Sequence, residues 1–138
     1  MQQLDGGTVS FADYRGRVVI MEFWATWCPP CRYSTPSLEA IYRRYRDRGV
    51  TVLLINEGEP AERVRAWVER RFTAPVLLDT DGRVAQLYQV AGIPRLFIVD
   101  QNGQIMYDRS GYRGGLEHNL TLILNELLTP NRVVRHGG

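Results

Sequence analysis

Apolar residues recur along the chain in two rhythms, and the rhythms alternate. Val18 to Trp24 is a near-continuous apolar run rich in β-branched and aromatic side chains, with Glu22 its only charge. Such a run predicts a central strand covered on both faces. From about Pro29 to Arg48 the apolar residues Leu38, Ile41, Tyr42 and Tyr45 fall at helical spacing, and Gly49 follows where a helix would stop. Val50 to Ile55 reads as a second buried strand. Pro60 to Phe72 then places Val64, Trp67, Val68 and Phe72 on one helical face. This strand, helix, strand, helix order favours right-handed crossovers and parallel pairing in an α/β sheet.

The rhythm changes in the second half. A short strand near Val76 to Leu78 and a short helix from Gly82 to Tyr88 are followed by Leu96 to Val99 and Ile105 to Tyr107, which flank Asn102-Gly103 and predict a hairpin. Leu116, Leu120, Ile123, Leu124, Leu127 and Leu128 make an amphipathic helix that ends before Pro130. A chain of 138 residues with this pattern predicts one domain over 1–138, with its core at about 6–128 and a flexible tail at 129–138.

Composition adds little to this and excludes several classes. The chain is 44% hydrophobic and 23% charged, near the average for soluble globular proteins. Net charge is +2, and all 17 basic residues are arginine. The densest basic run, Arg43, Arg44, Arg46 and Arg48, reads as a solvated helix face, so nucleic acid is not expected as a partner. No run of eighteen apolar residues exists to span a membrane, and Met1 to Ser10 lacks the pattern of a signal peptide.

The two cysteines stand as Cys28-Pro29-Pro30-Cys31, directly after a predicted strand and at the start of a predicted helix. A helix amino terminus presents unpaired N–H groups and a positive dipole end, which favour thiolate over thiol. Cys28 is therefore the expected nucleophile and Cys31 the resolving thiol, with Pro29 and Pro30 restricting the backbone between them. The implied chemistry is thiol–disulfide exchange through a mixed disulfide, with no metal or organic cofactor. A structural zinc site would have to draw on His118 and His136, one on a late helix and one in the tail.

The segment Met21-Glu22-Phe23-Trp24-Ala25-Thr26-Trp27-Cys28-Pro29-Pro30-Cys31 resembles the active-site segment of the thioredoxin superfamily, and Gly92-Ile93-Pro94 resembles its cis-proline loop. The insert at about Glu57 to Gln89, with Val76-Leu77-Leu78-Asp79 and Ile98-Val99-Asp100-Gln101-Asn102-Gly103, resembles the TlpA/ResA-type (DsbE-like) branch. The resemblance spans roughly Gly6 to Leu128. It implies a three-layer α/β/α sandwich with a mixed central sheet and an inserted strand and helix between the cysteine-bearing helix and the cis-proline loop.

The resemblance also implies roles for named residues. Ile93 and a cis Pro94 would lie beside the sulfurs, leaving the Ile93 backbone free to pair with a substrate strand. Glu22 holds the place of a buried aspartate, and burial would raise its pKa and fit it to take the Cys31 proton. Trp27, with Pro29 and Pro30, would contact the partner; Arg95 departs from the threonine common after the loop proline, and its charge would favour the Cys28 thiolate or select an acidic partner. Ser34 departs from the glutamate often found at that place in ResA-like members, so Glu22 would act alone. The implied work is reduction of cysteine-containing proteins outside the bacterial cytoplasmic membrane, of the cytochrome c maturation or metal-site type. It would be done by a monomer tethered in its full-length form and recharged by an upstream thiol donor. The alternatives are a general cytosolic thioredoxin and, less favoured, a copper-binding chaperone, whose wider cysteine spacing and matching histidine are absent.

Overall fold

Six strands form one mixed sheet in the order β1-β4-β3-β2-β5-β6 in this computed structural model, which describes residues 1–129. The strands are β1 (Gln2–Gln3), β2 (Val18–Trp24), β3 (Val50–Glu57), β4 (Val76–Asp79), β5 (Arg95–Val99) and β6 (Ile105–Ser110). The two longest apolar runs, β2 and β3, pair in parallel at the centre, from Val18 opposite Val50 to Trp24 opposite Asn56. Every residue of β2 is buried, as a strand covered on both faces requires. β4 continues the parallel set, while β1, β5 and β6 run antiparallel to their neighbours.

The pleat of β2 divides the core into two layers. Val18, Ile20 and Trp24 point into a cluster shared with α1 (Cys31–Tyr45), α2 (Ala61–Val68) and α4 (Leu116–Leu127). Val19, Met21 and Phe23 point the other way, towards α3 (Arg83–Leu87) and the 3-10 turn at Phe11–Tyr14. The α/β sheet expected from the alternating pattern, and the three-layer α/β/α arrangement that the resemblance implies, are therefore present.

The differences from expectation are local. β1 is two polar residues long and carries no apolar signal; it exists because its backbone pairs with the edge of β4. The helix expected through Phe72 stops at Val68, with Glu69 leaving helical geometry and Arg70 at φ 65°, yet Trp67 and Phe72 still pack on the core. β6 runs on to Ser110. Its hairpin turn is built on Asp100, whose carboxylate accepts the Asn102 and Gln104 amides at 2.9 and 3.0 Å, with Gly103 at φ 86°. Helix α1 continues through Pro36, and Gly49 (φ 80°) closes the 3-10 turn that follows it. No helix among the described residues is long and apolar enough to cross a membrane. The tail expected from residue 129 lies, apart from Thr129, outside the described residues.

The arginine run is largely committed to contacts within the fold. Arg43 pairs with Glu39, Arg44 with Glu117, and the Arg48 guanidinium lies over the Tyr45 ring. Glu39 itself is a buried brace. Its carboxylate accepts the Thr73 and Ala74 amides and the Thr73 hydroxyl at 2.8, 3.0 and 2.6 Å, fastening α1 to the segment that enters β4.

Candidate functional site

Strand β2 delivers the chain to the amino end of α1, and the two cysteines occupy that junction. Cys28 and Cys31 form a disulfide, with Cα atoms 5.3 Å apart. The Cys31 amide is directed at Cys28, lying 3.3 Å from its Sγ and 3.1 Å from its carbonyl. It is one of the donors that a helix start leaves without carbonyl partners within the helix. An N–H aimed at a sulfur, together with the helix dipole, stabilises negative charge there. Both cysteines are almost fully covered, at 2% and 1% exposure. Among their neighbours in the chain, Trp27 is 63% exposed and Pro29 and Pro30 are exposed too.

The loop carrying the cysteines is held from below by a group that the sequence pattern did not single out. Glu59, buried in the turn after β3, accepts the Thr26 amide at 2.8 Å, the Thr26 hydroxyl at 2.5 Å and the Asn56 side-chain amide at 2.8 Å. Arg63 lies 3.7 Å from its other side. Burial alone would raise the Glu59 pKa, but these hydrogen bonds and the arginine outweigh it and hold the carboxyl below its usual range. It is therefore an ionised anchor between β3 and the residue two places before Cys28.

Glu22 lies in the same layer as the cysteines. It follows Ile20 and precedes Trp24 in the pleat, and it pairs with Leu54 and Leu96 on the flanking strands. Its Oε1 has no hydrogen-bond partner, and it is 1% exposed. Burial pushes its pKa from 4.5 up to about 8, opposed only by a hydrogen bond with the Ser34 hydroxyl. Ser34 in turn reaches the Cys31 carbonyl at 3.3 Å. Ser34, the departure noted from the sequence, thus connects the carboxyl to the first turn of the cysteine-bearing helix.

The peptide bond between Ile93 and Pro94 is cis. Ile93 is half-buried and packs against the cluster that contains both cysteines, while the Pro94 carbonyl accepts the Gly111 amide at 2.8 Å. Arg95 is placed elsewhere. Strand alternation turns it to the face opposite Leu96 and Ile98, where Asp108 binds it through two hydrogen bonds of 2.6 and 2.8 Å and its guanidinium lies over Phe97. Its charge is neutralised on the side of the sheet away from the sulfurs' layer.

A half-buried carboxyl stands at the end of β3. Glu57 pairs in register with Asp79, whose own carboxylate caps α3 by accepting the Val84 and Ala85 amides at 3.0 and 2.9 Å. Burial first, then the hydrogen bond and charge of Asp79 and the charge of Asp81, raise Glu57 to about 9. Glu22 and Glu57 therefore both hold a proton in the folded protein at pH values where an unfolded chain has lost it. Stability from such groups is complete below about pH 4.5 and falls as pH rises towards 8 or 9, at up to about 1.4 kcal/mol per pH unit for the fully buried Glu22 and by less for the half-buried Glu57, which solvent screens. Urea unfolding of the oxidised protein at a series of pH values should show this decline, and Glu22→Gln should remove the part of it that ends near pH 8. An unchanged slope in the variant would mean that Glu22 is ionised in the folded state.

Comparison with known proteins agrees with this geometry. A protein named thiol-disulfide oxidoreductase ResA from Geobacillus thermodenitrificans is 36% identical over 106 residues, 76% of this chain and 61% of that protein. One of the same name from Halalkalibacterium halodurans is 27% identical over 131 residues, 94% of this chain and 73% of that protein. The chain thus spans about three-fifths of the length of the first of these relatives, 61% of it. Among solved structures, one from Chlorobium tepidum under the name thiol:disulfide interchange protein DsbE superposes with a TM-score of 0.87 at 28% identity, covering 94% of this chain and 92% of that one. A Bacteroides thetaiotaomicron protein described as a disulfide isomerase gives 0.88 at 28% identity over 99% and 89%. The fold is thioredoxin-like, and the profile of the AhpC/TSA family matches residues 1–108: the chain belongs to that family.

Proposed function

We propose that this chain is the redox-active domain of a thiol–disulfide oxidoreductase that reduces disulfides in partner proteins through Cys28 and Cys31. The observation that carries the reading is the pair's position: two sulfurs at the amino end of α1, with the Cys31 amide directed at the Cys28 Sγ. The names of the similar proteins point the same way.

In the reduced protein, the Cys28 thiolate attacks one sulfur of a partner disulfide. A Cys28–partner bond forms, and the partner's other sulfur leaves as a thiolate. Cys31 then gives up its proton and attacks the Cys28 sulfur, closing the Cys28–Cys31 disulfide and releasing the second partner thiol. Two electrons pass to the partner, and an upstream dithiol restores the protein. Glu22, in the layer of the cysteines and joined through Ser34 to the Cys31 turn, is the group suited to receive the Cys31 proton. Next to the cis Ile93–Pro94 bond, the Ile93 amide and carbonyl have no hydrogen-bond partner among the described residues, which suits them to pair with an extended partner segment.

The direction of exchange rests on the Pro-Pro dipeptide, which supplies no imidazolium to stabilise the reduced thiolate as in strongly oxidising relatives. Resemblance to the TlpA/ResA branch extends the proposal to a monomer tethered at the outer face of a bacterial cytoplasmic membrane. There it would keep particular cysteines reduced, such as those of an apocytochrome c or of a copper site.

Two variants test this reading. Reduced Cys31→Ser mixed with a disulfide-bonded protein should accumulate a covalent adduct through Cys28, visible by mass, that Cys28→Ser does not form; absence of the adduct would contradict it. In stopped-flow measurements Glu22→Gln should slow resolution of the mixed disulfide by about tenfold or more and flatten its rise towards pH 8. Resolution at the rate of the unmodified protein would remove Glu22 from the mechanism.

A further inference from the structure

Beside Cys28 the surface carries an aromatic pair that the exchange chemistry does not account for: an exposed Tyr33 set against Tyr112, which is half-buried on the core. Tyr33, on the first turn of α1, is 65% exposed. Its ring lies nearly parallel to that of Tyr112, with centroids 5.9 Å apart and 19° between the planes. The two tyrosines, with Pro29 and Pro30, line an open cleft that starts at the residue bonded to Cys28. Four rings line it and, among the described residues, no charged side chain does.

Tyr112 is held in place by backbone geometry. It lies between β6 and α4 in a segment where Gly111, Gly114 and Gly115 all have positive φ, at 77°, 81° and 67°. The Gly111 amide donates to the Pro94 carbonyl, so the Tyr112 segment and the cis-proline loop are tied together. The cleft thus starts beside Cys28 at Pro29, and the segment carrying its far wall is tied to Pro94. Neither tyrosine hydroxyl has a hydrogen-bond partner among the described residues. The exposed ring of Tyr33 contributes little to folding, whereas covering it with an apolar group releases its hydration.

We infer that Tyr33 and Tyr112 form a specificity pocket for the substrate protein, one that takes an apolar or aromatic side chain within two residues of the substrate's reactive cysteine. The inference rests on the oxidoreductase reading above and adds to it the class of sequence the domain prefers. The uncharged lining selects the side chain. The tie to Pro94 sets the register, since in an extended segment side chains two positions apart lie on the same face, about 7 Å from one another.

The probes are two synthetic peptides, each with one cysteine held as a mixed disulfide with an aromatic thiol whose release is followed by absorbance. They differ only in carrying Phe or Ser two residues from that cysteine. In single turnover, with the Cys28–Cys31 dithiol as the only reductant, the reduced protein should release the aromatic thiol from the Phe peptide with a second-order rate constant about tenfold above that for the Ser peptide, the difference residing in binding. Within each variant the same ratio is read, so a change in overall rate cancels. Tyr33→Ala and Tyr112→Ala should each bring the ratio close to one, and Tyr33→Phe should keep it. A ratio near one in the unmodified protein would overturn the inference, as would a ratio that survives in both alanine variants. A protein that reduces neither peptide nor a small aromatic disulfide would overturn the oxidoreductase reading, and this inference with it.

Discussion

A helix cannot satisfy its own first amides, and in this chain the group placed against that deficit is a sulfur. Helix α1 begins at Cys31, and the Cys31 N–H is directed at Cys28. Everything that gives the pair its chemistry follows from keeping that sulfur at that helix end. A free cysteine is a weak nucleophile near neutral pH because most of it is protonated, and the field of the helix end shifts that balance. The rest of the fold supplies the rigidity the arrangement needs. β2 is buried along its whole length between one parallel neighbour, β3, and one antiparallel neighbour, β5, so the point at which the chain leaves the sheet is fixed. Glu59 then fixes the loop itself, gripping both the amide and the hydroxyl of Thr26 from the neighbouring crossover.

The molecule treats its buried carboxyls in two opposite ways, and the difference lies in how many donors each receives. Glu39 and Glu59 are surrounded by amides, hydroxyls and an arginine, and these outweigh the cost of burial and leave them ionised. They act as braces. Glu22 and Glu57 receive too little, and burial raises their pKa values to about 8 and about 9. Such groups lower stability at alkaline pH, which is a cost a purely structural site would shed by substitution with an apolar residue. At Glu22 the cost has a use in the proposed chemistry, because a carboxyl that titrates near neutrality can exchange protons with a thiol. At Glu57 the nearby carboxylates of Asp79, which caps α3, and Asp81 add to the effect of burial.

Much of this was readable from the sequence because the decisive signals are local. The continuous apolar run at Val18–Trp24, the Gly49 stop and the Asn102-Gly103 turn each reflect one element's own physics. The cysteine pair was legible because its meaning depends only on the strand before it and the helix after it. Contacts between distant segments were not legible. Thr26 and Glu59 are separated by 33 positions, and no periodicity links them. The Tyr33–Tyr112 stack joins a helix start to a loop near the far end of the chain and was equally hidden. Arg95 is a different case. With Leu96 and Ile98 facing the cysteine layer, alternation already sends Arg95 to the opposite face, and its partner Asp108 lies across the hairpin.

The account stands on the ionisation of one sulfur. Its most direct test is the pH dependence of Cys28 alkylation in the reduced protein, followed by mass so that Cys28 and Cys31 are read separately. The account expects Cys28 to react with an apparent pKa clearly below the ordinary thiol value of about 8.5, and Cys31 to titrate well above Cys28. A Cys28 pKa at or above 8.5 would contradict it, since the helix end would then be doing nothing for the sulfur placed against it.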